Sequence, residues 1–214
     1  MSEDIGTISK AGKISSLVAG ICTVLFGLLI ILNFATPTIM FQFVVCFILA
    51  ISFVVVANSL YAIAGLKHKL WGRLTVSFAI IYAVYICLVY YSQLTVVRLG
   101  LVPGESLQLI EFIPGTWLFA VDMLGYTFLA LSTLAASFLF RGKGLAGKIR
   151  ILLIVHGALA IPVALFPALP LFGSAKNVQS ANLGGAFALL AWCIVFAPIC
   201  FLLERYFSAG RRDG

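Results

Sequence analysis

Asp122 and His156 are the residues of this chain best placed to do chemistry. Asp122 begins a stretch that has no further charge until Arg141, and His156 lies inside the uncharged run from Ile151 to Ala175. A carboxyl group in such surroundings can bind a cation, a proton or a ligand amine, and an imidazole can take up and release protons. An ionisable residue within a membrane span marks a functional site by default. Around these two stand uncharged polar side chains in otherwise apolar sequence: Asn33, Gln42, Asn58, Tyr90, Gln93 and Asn182.

The segment Val155–Gly173 is almost wholly apolar and yet holds Pro162, Pro167 and Pro170. Each proline removes a backbone donor and frees the carbonyl four residues earlier, on Ala158, Val163 and Phe166. In lipid an unpartnered carbonyl costs several kcal/mol, so proline is tolerated only where neighbouring helices, side chains or water supply a partner. The segment is therefore expected to be kinked, with a polar or hydrated neighbour near its prolines.

Depth arithmetic supplies one. Trp117 is an interfacial anchor, and Asp122 lies about 7–8 Å deeper at ~1.5 Å per residue. Pro167 falls at a similar depth on the outward-running helix that begins near Arg150. The expected site is a polar vestibule open to the outside, bounded by Pro167, with Asp122 at its base and Gln93, Asn33, Gln42, Tyr90 and Asn182 in its wall. The alternative is structural: Asp122 accepts hydrogen bonds that lock two helices together, and the other polar groups sit among lipid headgroups. His156 lies about 9 Å above the inner face, too far from Asp122 for a direct bond. Its inner-half company is Asn58, Ser59, Ser77 and Thr133. A proton relay through His156 and Asn58 would reach Asp122 only through water, and a buried neutral histidine bonded to one of these neighbours is the competing reading.

The elements that hold these residues follow from composition. Of 214 residues, 63% are hydrophobic and 10% charged, against about 25% charged in ordinary soluble domains; the mean hydropathy is +1.15. No Asp, Glu, Lys or Arg occurs from Ile14 to Leu66, from Leu74 to Val97, from Met123 to Phe140, or from Asn177 to Leu203. A spanning helix needs about 20 apolar residues. The first stretch holds two such helices, divided by the turn-forming Asn33–Thr38. Spans are expected at about 15–34, 40–65, 73–97, 117–140, 149–173 and 182–207. The fold class is all-α, a polytopic six-transmembrane-helix bundle forming a single domain over 1–214. The first helix is expected to be retained, since its apolar run is too long for a signal-peptide core. Between the third and fourth spans, Glu105, Gln108 and Glu111 recur at spacing three among Leu107, Leu109, Ile110 and Phe112. That pattern suits a short outer interfacial helix bracketed by Pro103-Gly104 and Pro114-Gly115, acting as a surface cap or as a lid over a cavity.

Charge orients the bundle. Of the 14 lysines and arginines, all but Arg98 and Lys176 fall on the side of the termini and even-numbered loops. This positive-inside bias puts both termini in the cytoplasm and the protein in the plasma (inner) membrane. The net charge of +7 then reads as topology and as attraction to the lipid bilayer's anionic headgroups. The basic residues form no continuous face for nucleic acid. Cys22, Cys46, Cys87, Cys193 and Cys200 all lie inside spans and read as packing residues. No metal-binding or catalytic signature is present, and no cofactor is expected.

Three functions are compatible with these features. The first is a binding or transport module for a small solute or amphipathic ligand. The second is a non-catalytic accessory subunit, or a homo-oligomer, docking through the small-residue faces Ala160/Ala164/Ala168 and Gly184/Ala188. The third, a lipid-modifying enzyme, has the least support, because only one acid lies within a span.

Overall fold

The computed structural model describes the backbone of residues 2–64, 68–168 and 178–209, and their side chains apart from 2–4, 108 and 178–184. The helices are α1 (Ser2–Leu32), α2 (Ile39–Ile63), α3 (Lys69–Ser92), α4 (Gly104–Ile110), α5 (Trp117–Ser137), α6 (Leu145–Ala158), α7 (Ala160–Leu165) and α8 (Val178–Ala209). Six segments are long and apolar enough to cross a membrane: Ile5–Leu32, Ile39–Ile63, Lys69–Val97, Trp117–Ser137, Leu145–Ala168 and Gly185–Ala209. They pack as a ring in the order α1, α2, α3, α5, α6, α8 and back to α1.

The outside of the ring is apolar. Leu28, Ile51, Val84, Ile151, Ile161 and Ile194, drawn from different faces of the ring, are between 51% and 74% exposed. So large an apolar surface is incompatible with water and matches the hydrocarbon of a bilayer. The chain is an integral, multi-pass membrane protein.

α1 begins well before the expected residue 15 and runs 31 residues, longer at ~1.5 Å per residue than the ~30 Å hydrocarbon layer. Its polar first turns persist as helix because α8 extends equally far and gives them a partner. Ser9 Oγ donates to the Phe207 carbonyl at 2.7 Å, Lys13 Nζ lies 3.5 Å from Glu204 Oε1, and Gly12 leaves room for the Phe207 ring. At the opposite end, the polar side chains of the α1–α2 connection bond to backbone groups of the connection and of the end of α1. Thr38 N donates to Asn33 Oδ1 at 2.8 Å, and Thr38 Oγ1 donates to the Leu29 carbonyl at 2.7 Å.

The proline-bearing span is broken, as expected. α6 ends at Ala158 and α7 starts at Ala160. Pro162 has no N–H for the Ala158 carbonyl, and the chain tightens at Leu159, whose N–H donates to the His156 carbonyl at 3.0 Å. Phe166–Ala168 then narrows to a 3-10 turn around Pro167. Pro170 lies outside the described residues. α7 packs on α5, and among the described residues it forms no packed pair with α8.

The connection from α3 to α5 folds across the end of the bundle. α3 widens into a π turn at Gln93–Val97, and Gln93 Nε2 donates to the Ile110 carbonyl at 2.6 Å, tying α4 to the ring. α4 is shorter than its proline brackets allow, because Glu111 is already extended. Glu105 faces solvent, whereas Ile110 and Phe112 pack against the core. Gly115, at φ +96°, turns the chain into α5, and Thr116 caps that helix by accepting from Phe119 N at 3.3 Å.

Candidate functional site

α5 has the most buried face of the ring and carries Asp122 in its second turn. The side chain is 1% exposed, and Oδ1 has no hydrogen-bond partner among the described residues. A buried polar atom without a partner costs on the order of 1–3 kcal/mol, more when charged, so its persistence needs a reason. Tyr126, one turn further along α5, presents its hydroxyl on the same face. The Tyr126 and Tyr90 hydroxyls share a hydrogen bond at 3.1 Å, and Tyr126 also reaches Cys46 Sγ at 3.8 Å. The Tyr90 hydroxyl in turn faces the Asp122 carboxyl. Hydroxyl protons rotate, so this chain can run toward Cys46 or toward the carboxyl.

Asp122, Tyr90 and Tyr126 line a cavity of about 1110 Å³. It rises between the ring helices to the α4 end of the bundle. There Phe34 and Pro37 of the α1–α2 connection and Phe112, Ile113 and Pro114 after α4 form its rim. The broken span contributes Leu159, Pro162, Val163 and Phe166, and α8 contributes Ala188, Leu189 and Trp192 among others. The segment after α4 thus contributes to the cavity wall at this end. Phe112 makes edge contacts with Phe43 at 5.5 Å and Tyr90 at 6.0 Å between ring centroids, and lies 5.7 Å from Phe119.

The wall differs in character from the expected polar vestibule. Asn33 and Gln42 do line the cavity, but Asn33 Oδ1 and Gln42 Nε2 are engaged around the α1–α2 connection. Asn33 Oδ1 accepts from Thr38, and Gln42 Nε2 donates to Thr38 Oγ1 at 3.2 Å and to the Leu29 carbonyl at 3.3 Å. Gln93 is absent from the described lining, its amide committed to Ile110. Pro167 is likewise absent, although its neighbours Pro162 and Phe166 line the space. The side chain of Asn182 lies outside the described residues. What remains is an aromatic and aliphatic chamber in which Asp122 is the one acid. Among the described lining residues there is no lysine, arginine or histidine.

His156 sits apart from the chamber in a closed network. Trp192 Nε1 donates to His156 Nε2 at 2.9 Å, and an indole nitrogen only donates, so Nε2 carries the lone pair. Nδ1 then bears the proton and donates to Thr133 Oγ1 at 2.7 Å, and Thr133 donates on to the Ala130 carbonyl at 2.8 Å. Both ring nitrogens of this neutral imidazole are used. Asn58 is not part of the network: it is exposed and donates to the Val54 carbonyl of its own helix at 2.8 Å. Of the neighbours expected for His156, Thr133 alone is bonded to it. Trp192 joins the two regions, since its ring lines the chamber and packs edge-on against Tyr126 at 5.5 Å.

Sequence reasoning did not single out Tyr126, Trp192 or the phenylalanine walls. Tyr126 was findable from its spacing of four from Asp122. Trp192 was findable as a tryptophan deep in an apolar helix, away from the interfacial belt where that residue usually lies. The phenylalanines carry no such signal in a chain with 18 of them. No cluster of three or more His, Cys, Asp or Glu side chains suited to a metal occurs among the described residues. In comparisons with known proteins, no family model, curated protein or solved structure matches this chain.

Proposed function

We propose that this protein is a membrane-embedded binding or transport module for a small amphipathic ligand. The observation that carries the reading is Asp122, a buried acid whose Oδ1 is unpartnered, among the residues that line a cavity of about 1110 Å³. Ligand sites are concave, mostly apolar, and have a few polar groups that orient the occupant; typical volumes are about 300–1000 Å³. The apolar body of the ligand lies against the aromatic wall, and Asp122 with the Tyr90–Tyr126 pair anchors its polar end. The positive-inside bias favours cytoplasmic termini in the plasma membrane, which puts the α4 end and the cavity mouth outside the cell. The segment after α4 and the broken span flank the mouth, and their movement would admit or release the ligand.

Thiol labelling tests the cavity directly. In a chain whose five native cysteines are replaced, Leu189→Cys reacts with a membrane-impermeant maleimide added from outside, whereas a cysteine at Ile194, on the lipid face, does not. Equal silence at both positions removes the basis for this reading. A second reading is a non-catalytic subunit of a membrane complex. It draws on Ala164 and Ala168, which are exposed one turn apart on the broken span and offer a surface for close helix approach. On that reading Ala164→Phe abolishes co-purification of a partner or dissociates a homo-oligomer on size-exclusion chromatography, while leaving the monomer folded.

A further inference from the structure

We propose that the occupant of the cavity is a lipophilic organic monocation, an ammonium-type charge carried on an apolar body, with its charge drawn toward the Asp122 carboxyl. This rests on the reading of the cavity as a ligand site and specifies its chemistry. A carboxylate buried in apolar surroundings needs a compensating charge, and no cationic side chain is present among the described lining residues. An occupant that carries a positive charge supplies that compensation. A divalent metal requires six or more oxygen ligands for calcium and near-octahedral coordination for magnesium, and one carboxylate with two tyrosine hydroxyls falls short of either. A proton alone would neutralise the acid but gives no role to a chamber of about 1110 Å³.

An organic cation uses every part of the site. Its charge pairs with Asp122. Its apolar groups fill the space between Phe43, Phe112 and Trp192. Aromatic rings attract positive charge through their quadrupoles, with Trp and Tyr the strongest, and Tyr90, Tyr126 and Trp192 line the same space. A single acid in the wall limits the match to a single positive charge, because a second would enter apolar surroundings without a partner. An anionic amphipath would meet the carboxylate as a like charge and is excluded on the same ground.

Tetraphenylphosphonium and tetraphenylborate have the same shape and opposite charge, so they separate charge from size. Binding of each is measured by calorimetry to the full chain in nanodiscs of phosphatidylcholine, with empty nanodiscs subtracted. Dodecyltrimethylammonium serves as a competitor of different shape. The expected result is saturable phosphonium binding that the alkylammonium displaces, with no saturable borate binding. Asp122→Asn weakens the phosphonium at least tenfold, and Asp122→Glu retains most of the affinity. If Asp122→Asn does not fold, the cation–anion comparison on the unmodified chain decides alone. Borate binding as tight as phosphonium, or phosphonium binding unchanged in Asp122→Asn, overturns the charge assignment while leaving the cavity reading intact. No saturable binding of either cation also overturns it, and the cavity reading then stands or falls on the thiol labelling.

Discussion

Two buried polar residues with opposite bonding states determine what individual substitutions do. Asp122 Oδ1 lacks a partner, so the carboxyl works against the stability of the ligand-free fold. Asp122→Asn removes the buried ionisable group, and the ligand-free protein is expected to gain about 1–3 kcal/mol, read as a higher melting temperature in detergent. A lower melting temperature would instead identify the carboxyl as a lock between helices. His156 is the reverse case, with both nitrogens bonded. His156→Ala strands the Trp192 indole N–H and opens a cavity, at an expected cost of about 2–4 kcal/mol. The same substitution frees the indole to reorient, so a red shift in tryptophan emission accompanies the loss of stability, whereas His68→Ala leaves the emission unchanged. The expected relay through His156 and Asn58 finds no geometric path in this arrangement, because the imidazole protons and lone pairs are already committed.

Among the elements, α5 and the broken span control the site through their close packing below it. Gly157 is where they meet most tightly: a Cβ there would lie 2.6 Å from the Leu134 Cβ and 2.9 Å from its Cα. Backbone cannot yield as a side-chain tip can, so Gly157→Ala is expected to destabilise by about 1–3 kcal/mol through overpacking. Gly6, with nothing within 4 Å of a built Cβ, is the control: Gly6→Ala in α1 gains about 0.4–1 kcal/mol by restricting the unfolded chain. Thermal unfolding of the two variants gives shifts of opposite sign. The break at Leu159 lies just beyond this contact. α6 is thus held against α5 by the glycine, while α7 beyond the break is free to diverge from α8 and leave the chamber between them.

For the whole molecule, the questions are sidedness and how the ring closes. The excess of basic residues at the terminal end predicts that a green fluorescent protein fused to the carboxyl terminus fluoresces and that alkaline phosphatase fused there is inactive. The opposite pair of signals reverses the orientation and puts the cavity mouth on the cytoplasmic side. α1 and α8 close the ring at the terminal end through Ser9, Gly12 and Lys13 against Phe207 and Glu204. At the α4 end the ring is covered by the segment that follows α4. One end is closed by helix packing and the other, among the described residues, by a short connection, so the second is the natural entrance.

The number of spans, the turn at Asn33–Thr38, the break at the prolines and the place of Asp122 within a span were all legible in the amino-acid order. Each follows from a local cost that a membrane enforces strictly. Apolar runs must match a fixed thickness, a missing N–H must be compensated nearby, and a charge in hydrocarbon must be enclosed. The partners of the polar groups were not legible. Asn33, Gln42 and Gln93 lie at the expected level of the bundle, but Asn33 Oδ1 accepts from Thr38, and Gln42 Nε2 and Gln93 Nε2 donate to backbone carbonyls on other turns of the chain. His156 bonded to Trp192 across the ring, and the chamber wall proved to be aromatic. Those outcomes depend on which faces of six apolar helices meet. Apolar helices in lipid have little amphipathic pattern to announce their facing sides, so only packing in three dimensions decides them.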